Sequence, residues 1–305
     1  MIYTVTLNPA VDRELTVPTL KWDTVLRASK QRTDVGGKGL NVSCMVQQLG
    51  GESIALGFVG GLAGRLLADS LQERGVRTDF VWIAEETRTN VSIVTTDGGH
   101  SLKVNEAGPT ITAAEQEALV RKVLDSVNAG DWCVLSGSLP PNVSSGLYAE
   151  LATELQKQGV QVILDACGEA LRLGCAARPF LVTPNASEAT ELTHQTKPMD
   201  AAHQLRRMGS DHVIVTLGRD GAMLVDDDGV FHIATPKIVE RNAIGAGDAL
   251  VGGLVYALAE ELPLNEALRW GVACGTIAAS LAGTAFGDRT EIASMLGQLR
   301  QRCDY

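Results

Sequence analysis

The chain has 305 residues, 45% of them apolar but only 4% aromatic, so it can bury a large core, and that core is aliphatic, as in helix-covered sheets. Its 26 basic and 36 acidic side chains leave a net charge of −10, a field that repels nucleic acid and anionic membranes and excludes both as partners. No apolar run is long enough to span a bilayer. The six scattered cysteines (Cys44, Cys133, Cys167, Cys175, Cys274 and Cys303) form no CxxC pair, and the chain has no signal peptide, which together read as reduced and cytoplasmic.

In chain order, a strand is expected at 2–7, followed by a polar stretch, 10–35, rich in Thr, Arg and Asp with strand-like alternation. A glycine cluster at 34–41 precedes a helix over 42–49, and a βα-like segment follows. A second polar stretch of the same kind covers 86–106. The two polar stretches are expected to meet as a small sheet projecting over the loop ends, a lid.

Thereafter short apolar strands (132–135, 160–164, 180–182, 212–217) alternate with helices. One helix, 113–127, is opened by the capping box Thr112-Ala113-Ala114-Glu115, and another, 145–158, is closed by Gly159. Alternation of this kind predicts an α/β fold with a doubly wound, mainly parallel sheet flanked by helices, in one domain spanning 1–305. Ligands in such folds sit beyond the carboxyl ends of the strands.

Two glycine-rich helix starts draw attention. The stretch NAIGAGDAL (242–250) leads into a run, 249–259, that is apolar on every face, so that helix is interior and its start faces a cleft. Backbone N–H groups left unpaired at Gly245, Ala246 and Gly247, with the helix dipole behind them, form an anion cradle. Asp248 beside that cradle is either a helix-start carboxylate or a reagent. The second start, DVGGKGLN (34–41), offers backbone donors at Gly36 and Gly37, the Lys38 ammonium and the Asn41 amide. Two anions held apart with a base nearby is what phosphoryl transfer to a phosphorylated alcohol requires. Other templates fail: Leu250 stands where a dinucleotide fingerprint needs its third glycine, and neither a P-loop nor a G-x-S-x-G occurs. The five histidines lack metal-site spacing.

TLNPAVD (6–12), GGKGLN (36–41), LSGSLPP (135–141), PN (184–185) with Glu188, and IGAGD (244–248) stand in the order seen in ribokinase-like PfkB sugar kinases, which the chain resembles over essentially its whole length. Within that family it is similar to the branch of 1-phosphofructokinase and tagatose-6-phosphate kinase. TRTN (87–90) and KVNE (103–106) followed by Gly108-Pro109 resemble the former more closely.

The resemblance implies ATP-dependent phosphorylation of a phosphorylated ketohexose, with fructose 1-phosphate the first expectation. Tagatose 6-phosphate, fructose 6-phosphate, or a silent sugar-phosphate sensor are the alternatives. It implies Asp248 as general base and the amides of 245–247 as anion hole. Asp12, Gly36, Gly37, Asn41 and Ser138 would hold the sugar, and Lys38, Arg88, Arg27 and Lys103 its phosphate. Asn185, Thr216, Gly218, Gly221, Ala279 and Gly283 would line the ATP site, with Mg²⁺ steered through water by Asn185 and Glu188. A homodimer through the lid is expected. Three positions depart from the family pattern: Thr183 where Lys is usual before Pro-Asn, DACG (165–168) for D-T-S-G, and Ala249 where Ser is frequent.

Overall fold

The computed structural model describes residues 1–96, 99–281, 283 and 285–302; Cys303 and Ala282 lie outside them. Strands β1 (Ile2–Thr6), β2 (Ala10–Val17) and β3 (Lys30–Gly36) lead to helix α1 (Lys38–Gln48). Next come β4 (Ser53–Gly60), α2 (Gly61–Glu73), β5 (Arg77–Thr78), β6 (Val81–Ile83), β7 (Arg88–Thr95) and β8 (Ser101–Asn105). The middle of the chain alternates α3 (Ala113–Ser126), β9 (Trp132–Ser136), α4 (Leu147–Lys157), β10 (Gln161–Asp165), α5 (Gly168–Ala176), β11 (Leu181–Val182), α6 (Ala186–Thr193) and α7 (Pro198–Arg207). It closes with β12 (His212–Thr216), β13 (Ala222–Val225), β14 (Val230–Ala234), α8 (Ala246–Ala259), α9 (Leu264–Ser280), α10 (Arg289–Leu296) and β15 (Arg300–Arg302).

The main sheet runs β15-β14-β13-β12-β11-β10-β9-β1-β4-β5, with β6 paired to β4. From β5 to β12 every pairing is parallel; from β12 to β15 the pairings are antiparallel. That antiparallel edge was not expected from the sequence. It turns at 226–229, where Asp226 accepts from the Asp228 and Gly229 amides in a local side-chain turn. Alternate residues of each central strand enter opposite cores. Tyr3, Val5, Leu135 and Leu164 pack with α3 to α7, while Ile2, Val134, Ile163 and Ile214 pack with α1, α8, α9 and α10. No helix of the described residues is long and apolar enough to cross a membrane.

Sequence order reverses at β1, which has β4 on one side and β9 on the other. This switch point opens a crevice between the carboxyl ends of β1 and β9. Over it stands the second sheet, in the order β3-β2-β7-β8, built from the two polar segments expected to form a lid. The lid strands β7 and β8 are nowhere fully buried, and β8 is exposed along its length.

Helix α1 starts four residues earlier than expected. Gly37 holds φ 146°, which L side chains rarely adopt, and the helix begins directly after it, so Lys38 to Asn41 form its first turn rather than a loop. Helix α8 is buried on all sides from Ala249 to Leu258, as its all-round apolar sequence predicts. Its Gly252 and Gly253 permit close packing: an added Cβ would lie 2.6 Å from Met45 Cβ of α1 and 2.5 Å from Cys274 Sγ of α9. Helix α8 is thereby wedged between two neighbours.

Candidate active site

Helices α1 and α8 start side by side. Neither N-terminus has a side-chain cap, and Gly245 at φ 81° turns the chain into α8. An added Cβ at Gly247 would meet nothing within 4 Å, so this helix start opens onto free space. The Ala246 amide is already committed to the Ala243 carbonyl at 3.2 Å. The Ala249 amide donates to Gly245 O at 2.8 Å, so within the first turn of α8 the donors left for an anion are, contrary to expectation, the Gly247 and Asp248 amides rather than that of Ala246.

Asn41 bridges the two helices by donating from Nδ2 to Asp248 Oδ2 at 2.7 Å. Burial pushes the Asp248 carboxyl up to about 6, the charges of Asp165 and Glu188 add to that, and the Asn41 hydrogen bond and Lys38 oppose it. A carboxylate with that value is poised to take a proton near neutral pH. Its role as a simple cap is ruled out by the geometry, since its acceptor oxygen faces Asn41 and not its own helix amides.

Lys38, in the first turn of α1, donates to Asp165 Oδ1 at 2.9 Å, and Ser136 donates to Asp165 Oδ2 at 3.1 Å. Asp165 and Ser136 end the adjacent strands β10 and β9, in register with each other. Burial disfavours the Lys38 ammonium, but Asp165, Asp248 and Glu188 outweigh it and hold its pKa above the ordinary lysine value.

A separate group lies under the lid. Asp12 on β2 accepts from Asn90 Nδ2 on β7 at 2.8 Å, and register places Asp34 and Asn90 on either side of it. Burial raises the Asp12 carboxyl; Asp34 raises it further, while Asn90, Arg88 and Lys103 act against the shift. Arg88 donates to the carbonyls of Asn8 at 3.2 Å and Glu106 at 3.1 Å. Asn90 Oδ1 and Asn8 Oδ1 are buried without a partner, polar atoms of the kind a bound sugar satisfies. Ser138 is exposed at the mouth, 3.5 Å from Asn8 Nδ2. Gly36 presses on Asp12, where an added Cβ would come within 2.2 Å of Oδ2.

Two expected phosphate ligands are not brought into that group. The charges acting on Lys38 are those of Asp165, Asp248 and Glu188, whereas those acting on Arg88 are Asp12 and Glu106. Arg27 is exposed in the 18–29 connection at the far tip of the β2–β3 hairpin, roughly 13 Å or more along the strand from Asp12. Within its own chain it belongs to no phosphate cluster.

Beyond β11 and β12 lie the segments expected to meet a nucleotide. Asn185 forms a bridge with Thr216, and the turn after β12 carries Gly218 at φ 60° and Gly221 at φ 95°. Arg241 and Asn242 donate their amides to Ala279 O at 2.9 and 3.2 Å, and Asn242 Nδ2 donates to Gly283 O at 2.9 Å. These bonds tie the expected adenine strap to the residues entering α8. Asn185 and Glu188 form the capping box of α6, each side chain accepting from the other's backbone N–H at 2.9 Å. Glu188 is still near enough for its charge to act on both Asp248 and Lys38. Among the described residues no cluster of three acidic, histidine or cysteine side chains could hold a metal by itself.

A cavity lined by Arg32, Asp34, Cys44, Gln48, Arg74 and Phe286 contains neither Asp248 nor Asn41. Sequence reasoning assigned no role to Asn8, Asn90, Ser136 or Asp165. Each lies in or beside a quoted motif, and only the partner across the fold reveals what it does.

The chain is 36% identical over 304 residues to the 1-phosphofructokinase of Bacillus subtilis, a match covering 98% of this chain and 97% of the relative. It is 33% identical over 290 residues to the ATP-dependent 6-phosphofructokinase isozyme 2 of Escherichia coli, covering 93% and 94%. A crystal structure of phosphofructokinase-2 from Escherichia coli superimposes with a TM-score of 0.91 at 31% identity, over 97% of this chain and 98% of that one. The family model described as pfkB family carbohydrate kinase matches residues 5–291. With its motifs, its two-sheet architecture and these likenesses in agreement, the chain belongs to the pfkB family of carbohydrate kinases.

Proposed function

We propose that the protein transfers the γ-phosphoryl group of ATP to O6 of fructose 1-phosphate, giving fructose 1,6-bisphosphate. The observation that carries this reading is Asp248, raised to about 6 and hydrogen-bonded by Asn41 at an uncapped helix start. Asp248 takes the proton from the acceptor hydroxyl as that oxygen attacks phosphorus, and the amides around Gly247 bear the charge that develops on the transferred group. Asp12 and Asn90 hold sugar hydroxyls, while Arg88 and Lys103 meet the phosphate already present.

ATP lies along Asn185, Thr216, Gly218 and Gly221, with the 279–283 strap at its base. Mg²⁺ fits this site only as an ion carried by the nucleotide, because Asn185 and Glu188 are engaged in their capping box and act on it through water. The ion supplies charge neutralisation on the phosphates. The whole chain, 1–305, works as one kinase domain with the lid segments inserted, in the cytoplasm where its substrates are. The half-buried β7 and exposed β8 support a homodimer formed lid to lid.

Side-by-side kinetics on fructose 1-phosphate, tagatose 6-phosphate, fructose 6-phosphate and free fructose test the reading. Fructose 1-phosphate is expected to lead in kcat/KM by about tenfold or more. A win for tagatose 6-phosphate overturns the substrate assignment and leaves the mechanism; a win for free fructose overturns the phosphate site too.

A further inference from the structure

The two basic groups first expected to share one phosphate are held by different partners. Arg88 is beneath the lid, its charged neighbours Asp12 and Glu106. Lys38 donates instead to Asp165, with Asp248 and Glu188 as its further charged neighbours. The acidic group around Lys38 is the one a triphosphate must approach, and it carries three carboxylates against a single ammonium.

Asp165 has no freedom in this arrangement. It is 3% exposed, it ends β10, and each of its oxygens is taken, one by Lys38 and one by Ser136. A buried carboxylate is costly unless it is paired and hydrogen-bonded, so its role lies in what it holds. It holds the ammonium close enough to Asp248 for their charges to interact, yet engaged elsewhere, so that Lys38 does not close directly on the base. An ammonium has three N–H donors, and Asp165 occupies one of them. The Lys38 side chain is 36% exposed, so the remaining donors can reach into the cleft.

Resting on the kinase reading above, we infer that Lys38 is a catalytic residue for the phosphoryl group in flight, not a ligand of the phosphate the sugar already carries, and that Asp165, locked by Ser136, is its positioning residue. In the step, the acceptor oxygen forms its bond to the γ-phosphorus and its proton passes to Asp248. The bond from that phosphorus to the bridging oxygen breaks, and ADP leaves with the electron pair. Lys38 donates to the oxygens that gain charge between the two partners.

The test compares the full-length wild type with Lys38→Met, Asp165→Asn, Ser136→Ala and Arg88→Met, using ATP turnover and calorimetric binding of fructose 1-phosphate. Lys38→Met is expected to cut kcat by about a hundredfold or more while the Kd for the sugar phosphate moves by less than about threefold. Asp165→Asn is expected to cut kcat about tenfold to a hundredfold, again without weakening sugar-phosphate binding. Ser136→Ala, a milder change that serves if Asp165→Asn does not fold, is expected to lower kcat about threefold to tenfold at constant Kd. Arg88→Met is expected to raise the sugar-phosphate Kd about tenfold or more.

A Lys38→Met enzyme with kcat intact at saturation and Kd raised about tenfold would return Lys38 to the sugar's phosphate and overturn the inference. Folded Asp165→Asn and Ser136→Ala enzymes with unchanged kcat would overturn the positioning role. The wild-type control separates the two levels. If it ignores fructose 1-phosphate but turns over another sugar phosphate, the substrate reading fails and the same comparison on that sugar decides for or against Lys38.

Discussion

Asn41 and Asp248, 207 positions apart in the chain, are joined by a 2.7 Å hydrogen bond that links the first turns of α1 and α8. The bond fixes one carboxylate oxygen, and in the proposed mechanism the other receives the proton of the acceptor hydroxyl. It also ties the GGKG segment to Asp248, so the starts of α1 and α8 are held in register with each other.

Asp248→Asn is expected to lower kcat by about 10²–10⁴ or more while ATP and sugar phosphate still bind, because the amide keeps the shape and the Asn41 contact but cannot accept a proton. Rapid-quench turnover with calorimetric binding checks this. Retention of more than about a tenth of wild-type turnover would mean that Asp248 is not the base.

The pH profile follows from the same residue. The base must be ionised, and burial together with Asp165 and Glu188 lifts it from the ordinary aspartate value to about 6. The acidic limb of kcat/KM, which reports the free enzyme, is therefore expected to bend near pH 6 rather than near 4. A limb whose midpoint lies below about pH 5 would show that the carboxyl is not raised in solution.

Stability carries the opposite sign. A carboxyl whose pKa is higher folded than unfolded favours the folded state only at low pH, and that advantage is lost as pH rises from about 4 through about 6. At pH 7.5 the wild type bears the cost of ionising a partly buried carboxylate beside Asp165 and Glu188, so Asp248→Asn is expected to be more stable, by roughly 1–3 kcal/mol. The gain is expected to shrink toward zero near pH 4. Denaturant titrations at both pH values check this, and an equal gain at each would rule out ionisation as its source.

How far the sequence alone could go is visible in particular residues. The capping box at Thr112 and Glu115 was legible because all its partners lie within four positions, and it stands as predicted. The lid was legible as two polar alternating stretches, although neither stretch shows that β2 pairs β7 in parallel. The direction of Lys38 was not legible, because its partner Asp165 lies 127 residues away and a motif lists neighbours in the chain, not in space. The antiparallel edge β13 to β15 was missed for a related reason: short strands ending a parallel sheet carry no periodicity that sets them apart.

Gly36→Ala is expected to raise the KM for the sugar phosphate about tenfold with little change in fold. The added methyl would fall 2.2 Å from Asp12 Oδ2, and the carboxylate must turn away from both Asn90 and the sugar. Steady-state kinetics with a circular-dichroism control reads this, and an unchanged KM would remove Asp12 from the sugar site.

The glycine pair in α8 has a mechanical consequence. With Met45 and Cys274 pressed against positions where no side chain grows, the helix carrying Asp248 has no room to rotate or slide between α1 and α9. The exposed strands of the small sheet have no such restraint. The first turn of α8, with Asp248 on it, is thereby held in fixed register with α1 and the central sheet, so accommodation of a bound molecule falls to side chains and to the small sheet.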